Sequence, residues 1–155
     1  MRIKLLCVGK TDDPRLRELI TYYTARLPRH WNFVLVEIPD IKAKQSADLT
    51  KKQEAKLLQQ QIDSGDYNIL LDENGREYTS RQFSEKMMHL QNASIKKINF
   101  LIGGAYGFSE EMYRLAQEKI SLSKMTFTHQ MVRLFLIEQL YRADQILQGK
   151  PYHND

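Results

Sequence analysis

Several things are scarce in this chain. A single cysteine, Cys7, stands among 155 residues, so no internal disulfide can form and no zinc site can be assembled from thiolates. The four histidines, His30, His89, His129 and His153, never fall four residues apart, and no carboxylate completes a recognisable ligand set, so no metal is expected. Long apolar runs are missing too. The opening stretch, residues 3–8, is interrupted by Lys4 and followed by charge, which argues against a secretory leader, and nothing approaches the roughly eighteen residues of a membrane span. A cytoplasmic location and no membrane partner are the expectation. No serine sits in a hydrolase elbow.

What is present suits a globular enzyme or binding module. The apolar fraction of 42%, with seven glycines added, comes near the usual value for globular domains and excludes whole-chain disorder. The length fits one domain, residues 1–155, with neither linker nor repeat. Lys and Arg number 23 against 19 Asp and Glu, a net +4 that is unevenly spread. The excess lies in residues 1–30 (Arg2, Lys4, Lys10, Arg15, Arg17, Arg26, Arg29), with a second local cluster at Lys42, Lys44, Lys51, Lys52 and Lys56. Such patches can attract phosphate backbones, though on charge alone ordinary solvated surface is the favoured reading.

Strand and helix signals alternate along the chain. Arg2–Val8 reads as a strand closed by Gly9, after which Asp13 and Pro14 offer a cap and first helical position to a helix with apolar residues at 16, 19, 20, 23 and 27. Strands are expected at 33–38, 68–71 and Lys97–Ile102, with a brief fifth at 125–127, and helices near 49–63, after Thr79, near Ser109 and over 130–147. Thr79 and Gln82 have capping-box spacing. Repeated β-α units favour a mainly parallel sheet covered on both faces. Asn74-Gly75 leaves a hairpin open as an alternative for the third strand. The last helix has 11 apolar residues among its 18 positions, more than one buried stripe needs. The surplus points to a second dry surface, with a homodimer favoured over burial inside one monomer.

Open parallel sheets bind ligands beyond the carboxyl ends of their strands. Three segments fall there. Leu101-Ile102-Gly103-Gly104-Ala105-Tyr106-Gly107-Phe108-Ser109 leaves a strand and enters a helix, and as a bare pattern it reads equally as a ligand loop and as a tight turn. Asp72, in Leu71-Asp72-Glu73-Asn74, either orients a polar ligand group or closes an Asx turn. Ser121 to His129 offers small hydroxyls and free peptide groups, with Thr128 also available as a helix cap. His129 and His153 are plausible proton-transfer or hydrogen-bonding groups. The tail Lys150-Pro151-Tyr152-His153 combines a phosphate-binding cation with a stacking ring.

At these loops and the tail the sequence resembles the RlmH family of α/β-knot (SPOUT) methyltransferases. The likeness runs the full length and is most specific at Leu101-Ile102-Gly103-Gly104-x-x-Gly107, Leu122-Ser123-x-x-Thr126, His129-x-x-Val132-Arg133 and Glu138-Gln139-Leu140-Tyr141-Arg142-Ala143. It departs at Ala105-Tyr106, where Pro-Glu is frequent, and at Thr128, commonly proline. The resemblance implies an α/β-knot fold, a mainly parallel sheet flanked by helices with a C-terminal trefoil knot, in a homodimer. It implies methylation of N3 of a pseudouridine in helix 69 of 23S ribosomal RNA on the assembled ribosome, with S-adenosylmethionine as methyl donor. The cofactor would be held by Leu71, Ile102, Gly103, Gly104, Ser123, Lys124, Met125, Thr126, Phe127 and Thr128. His129, Tyr152 and His153 are the catalytic candidates, and Arg133, Arg142 and Lys150 would hold RNA phosphate or the developing negative charge of the base. The rivals are a transfer RNA methyltransferase, a noncatalytic ribosome-binding protein and an enzyme using a phosphate-bearing cofactor.

Overall fold

The computed structural model describes residues 1–42 and 44–154. Five strands form one all-parallel sheet: β1 (Arg2–Val8), β2 (Val34–Ile38), β3 (Tyr67–Glu77), β4 (Lys97–Ile102) and β5 (Glu118–Ser121), in the spatial order β2-β1-β4-β3-β5. The helices are α1 (Pro14–Thr24), α2 (Ala47–Gln59), α3 (Ser80–Asn92), α4 (Glu110–Leu115) and α5 (His129–Leu147).

The side-chain alternation of the central strands divides the core. Ile3, Leu5 and Cys7 point to the face covered by α1, α3 and α5, together with Phe100, Ile102, Leu136 and Ile137. Leu6 and Val8 point to the face covered by α2 and α4, with Leu70, Leu101, Leu58 and Met112. Because both faces are dry, β1 and β4 read as nearly continuous apolar runs, the mark of a doubly covered parallel sheet.

Local signals set the helix starts. Asp13 caps α1 by accepting the Arg15 N–H at 2.9 Å, with Pro14 at the first helical position. Thr79 and Gln82 form the expected reciprocal capping box on α3. Thr128 caps α5, accepting the Met131 N–H at 3.3 Å. From there α5 crosses back over β4 and packs against both α1 and α3. That placement buries Leu134, Leu136, Ile137, Leu140 and Ala143 within the chain. Met131, Val132, Phe135, Tyr141 and Ile146 stay half-buried, and Leu147 is exposed.

One local expectation is corrected and one open alternative is closed. The fifth strand is Glu118–Ser121, not 125–127; the latter lies in the loop leading to α5, and Met125 there is 73% exposed. Asn74-Gly75 makes no hairpin, because β3 continues to Glu77 and pairs parallel with β5 on both sides of an irregularity between Leu71 and Arg76. Asp72 closes that irregularity as an Asx turn, its Oδ1 accepting the Asn74 N–H at 2.8 Å.

Candidate active site

The adjacent carboxyl ends of β3, β4 and β5 converge on one cleft of about 430 Å³. Leu71 and Asp72 come from β3, and Ile102, Gly103 and Gly104 from β4 and the glycine loop. Ser121 to Ser123 and Met125 to Phe127 follow β5, and His129 and Val132 face in from the first turn of α5. Three segments spread over about sixty residues of sequence thus share one cavity, as open α/β sheets favour at strand ends.

Each wall has a local cause. The glycine loop closes through the Gly107 N–H donating to Gly104 O at 3.1 Å. Gly107 has φ +77°, a left-handed conformation that side chains resist. Ser109 then caps α4. In the loop after β5, Ser121 donates its hydroxyl to Ser123 O at 2.9 Å, and Ser123 Oγ accepts the Met125 N–H at 3.0 Å. The Phe127 ring packs edge-on against Phe135 of α5 at 5.0 Å between centroids, pinning the loop's far end.

The cleft gathers most of the residues expected to hold the cofactor: Leu71, Ile102, Gly103, Gly104, Ser123, Met125, Thr126 and Phe127, with His129 beside them. Lys124 and Thr128 are not part of its lining; Lys124 is exposed in the loop, and Thr128 serves α5 as its cap. Phe108, from the expected glycine loop, lines the cleft too, and Tyr113 lines it without having been anticipated. Tyr113 donates its hydroxyl to Asp72 Oδ2 at 2.5 Å. Burial, and then Asp72, push the Tyr113 phenol well above its ordinary value, so it stays a neutral donor. No sequence signal distinguished Tyr113, since a tyrosine on a six-residue helix has no reportable periodicity.

The tail lies elsewhere. The Tyr152 hydroxyl donates to Glu138 Oε1 at 3.0 Å, its ring meets Tyr141 at 4.8 Å, and the Arg142 guanidinium lies 4.7 Å from its centre. Arg142 also donates to Glu138 Oε1 at 2.5 Å and sits 3.3 Å from His153 Nδ1. Burial, then hydrogen bonding with Tyr23 and Glu138, push the Tyr152 phenol up. Arg142, Tyr152 and His153 therefore form one cluster on α5, and Lys150 is exposed nearby; none of the four lines the cleft of its own chain.

Arg133, expected at RNA phosphate, is fully buried. Its Nη1 donates to Thr11 Oγ1 at 2.9 Å and Glu37 Oε1 at 3.1 Å, and its Nη2 donates to Val8 O at 2.7 Å. The Thr11 N–H and hydroxyl converge on the same Glu37 oxygen at 2.7 and 2.6 Å. A guanidinium committed to the ends of β1 and β2 has no face to offer a phosphate, so Arg133 is a structural clamp. Gln130 adds a second tie, exchanging hydrogen bonds with Asp12 at 3.0 and 3.1 Å. Cys7, in the same region, is held up to about 12 by burial, against the opposing Arg133 charge, and carries no thiolate at neutral pH.

Behind the glycine loop lies Glu54 of α2, only 6% exposed. Burial raises its carboxyl above the ordinary carboxylate range; the Gly104 backbone beside it opposes this and the neighbouring Asp40 adds to it. Below the unfolded carboxyl value the buried acid is neutral in both states. As pH rises through the raised folded value, ionisation in a buried position costs stability. The E54Q variant should therefore gain melting temperature relative to the parent as pH rises from about 5 to about 8, measured by scanning calorimetry. A constant difference across that range would show that Glu54 titrates normally.

Among the described residues no three His, Cys, Asp or Glu side chains form a group able to hold a metal ion, and no helix is long and apolar enough to cross a membrane.

Comparison with known proteins agrees with this geometry. The family model described as "Predicted SPOUT methyltransferase" matches residues 1–153, and the chain belongs to that class. Within it, the relatives are named ribosomal RNA large subunit methyltransferase H, and this chain belongs with them. The Christiangramia forsetii protein of that name is 49% identical over 99% of both chains. That of Cytophaga hutchinsonii is 48% identical over 99% of this chain and 100% of its own, and that of Parabacteroides distasonis 46% identical over the whole of both. Among solved structures, a probable methyltransferase from Bordetella pertussis superimposes with a TM-score of 0.57 at 11% identity, covering 92% of this chain and 95% of that one. A probable methylase family protein from Haemophilus influenzae gives 0.56 at 14% identity, covering 99% and 70%. At such identities the two structures speak to the fold alone.

Proposed function

We propose that this chain is a single-domain S-adenosylmethionine-dependent methyltransferase that modifies N3 of a pseudouridine in helix 69 of 23S ribosomal RNA on the assembled ribosome. The supporting observation is the charge of the cleft. Among the described residues no Lys or Arg lines it, whereas Asp72 and Glu73 do. A phosphate-bearing cofactor would find no cation there, while a ligand carrying a sulfonium and an ammonium meets acidic neighbours. Glycine backbone, the Ser121 and Ser123 hydroxyls and the apolar Leu71, Ile102 and Val132 suit the mixed polarity of a nucleoside.

When bound, S-adenosylmethionine supplies an electrophilic methyl carbon. The chain's work is positioning and charge control: Gly103, Gly104 and the loop after β5 would hold the donor and keep water from the line of attack. N3 would have to give up its proton to be methylated, and a group of this chain beside the base would assist that loss. His129, in the cleft wall, is the candidate within one chain for stabilising or accepting that proton. Tyr152, His153, Arg142 and Lys150 lie outside their own cleft, which supports a homodimer in which one subunit's tail serves the partner's site. The half-exposed apolar residues of α5 are consistent with a subunit contact. The threaded C-terminal path of the α/β-knot belongs to the same reading, as does a cytoplasmic location beside the ribosome.

A net charge of +4 gives a monomer a weak basic footprint. A ribonucleoprotein surface that presents the base in a fixed place therefore suits it better than free RNA. Radiolabelled methyl transfer is expected to be strong on whole ribosomes and slight on naked 23S RNA. Comparable turnover on both, or transfer to transfer RNA instead, would overturn the assignment.

A further inference from the structure

We infer that Glu54 is a positioning residue for the cofactor, acting through the glycine loop that it supports from behind. Glu54 does not line the cleft. It stands on the buried stripe of α2 with Thr50, Ala55 and Leu58, where an apolar side chain would satisfy packing. Its carboxylate instead reaches the underside of the loop and lies against Gly104. Contact there is so close that a Cβ built on Gly104 would lie 2.4 Å from Glu54 Oε1 and 2.9 Å from its carboxyl carbon. The other oxygen, Oε2, is buried without a hydrogen-bond partner. Asp40 is the other ionised group acting on it, and Asp40 in turn packs against Gly9 at the end of β1.

A buried carboxylate with one idle oxygen costs stability. Retaining it makes physical sense only if its contact with the loop fixes something of value. That contact bears on the peptide of Gly104, which itself lines the cleft. The absence of a side chain at Gly104 follows from the same contact, because Gly104, unlike Gly107, has no positive φ to require glycine. Glu54 and Gly104 are two halves of one device: the acid sets the height and tilt of the loop, and the glycine lets it approach.

This inference rests on the cofactor reading above, and the test separates the two. Titration calorimetry with S-adenosylmethionine would compare the parent protein with E54A, E54Q, G104A and the double variant E54A/G104A. E54A should weaken binding about tenfold, the loss typical of a charged polar contact. E54Q, which keeps the reach and shape of the side chain against Gly104, should stay within about threefold of the parent. G104A should weaken binding by about tenfold, yet in the E54A background by less than about twofold, since the obstructing carboxylate is gone. The E54A melting temperature should equal or exceed the parent's, which a merely structural role would not give, and its methyl-transfer rate at saturating cofactor should return close to the parent's. Parent-like affinity in E54A, or losses that simply multiply in the double variant, would overturn the positioning role. No binding to the parent protein would instead reject the cofactor reading.

Discussion

Removing the Arg133 side chain, as R133A, is expected to lower the unfolding free energy by about 3–5 kcal/mol, the cost of taking one partner from a buried ion pair. The guanidinium is fully buried and serves three acceptors, Val8 O, Thr11 Oγ1 and Glu37 Oε1. Truncation leaves the strand-end carbonyl of Val8 without this donor, opens a cavity beneath α5, and strands the Glu37 carboxylate beside the Thr11 hydroxyl. The double variant R133A/E37Q should recover part of the loss, because a neutral amide needs no counter-charge. Urea denaturation of the four proteins of this cycle is the measurement. If R133A costs under about 1 kcal/mol while ribosome binding collapses, Arg133 belongs to the RNA-binding surface after all.

The clamp also bears on the chemistry. Arg133 lies one turn from His129 and next to Val132, both in the cleft wall, and Gln130 ties the same turn to Asp12. Through these contacts the loop following β1, which contributes no residue to the cleft lining, holds the start of α5 in place. Variants at Thr11 or Gln130 should thus affect methyl transfer without approaching substrate.

Much of the architecture was legible because the central strands are buried on both sides: β1 and β4 announce themselves as apolar runs. The starts of α1, α3 and α5 were legible from Asp13, Thr79 and Thr128, whose side chains cap by local chemistry alone. β5 was not, because an edge strand of four residues with Glu118 and Lys119 in it offers little pattern, while Met-Thr-Phe at 125–127 imitates one. Cleft membership was readable for the glycine loop and the segment before α5, since both follow strand signals. The tail's separation from its own cleft was not, because chain order says nothing about which way a short peptide folds back. Arg133 was misread and Glu54 missed for one shared reason. Each is a charged residue in phase with a buried stripe, Arg133 with Leu136, Ile137 and Leu140, and Glu54 with Thr50 and Leu58. A charge on a helix is read as surface unless its phase is checked, and here the phase carried the signal.

Gly75→Ala is the second change expected to have a large effect, about 3 kcal/mol of stability, at the upper end for overpacking because the obstruction is backbone. A Cβ on Gly75 would lie 2.5 Å from the carbonyl carbon of Ile120, 2.6 Å from its nitrogen and 2.7 Å from the carbonyl carbon of Lys119. No rotamer can relieve those contacts, so β5 must move away from β3 at the irregularity between Leu71 and Arg76. Ile120 and Ser121 would move with it, and both line the cleft. Cofactor affinity should fall at least about tenfold in the folded fraction, as one displaced wall forfeits a well-placed contact or more. Gly65→Ala is the informative control: Gly65 has φ +86° but open space around it, so alanine there should cost only about 1–2 kcal/mol, through backbone strain, and leave cofactor binding unchanged. The pair separates two reasons for a glycine, close approach and dihedral freedom. Equal stability losses at both positions with cofactor affinity intact in G75A would show that β3 and β5 can part without disturbing the cleft.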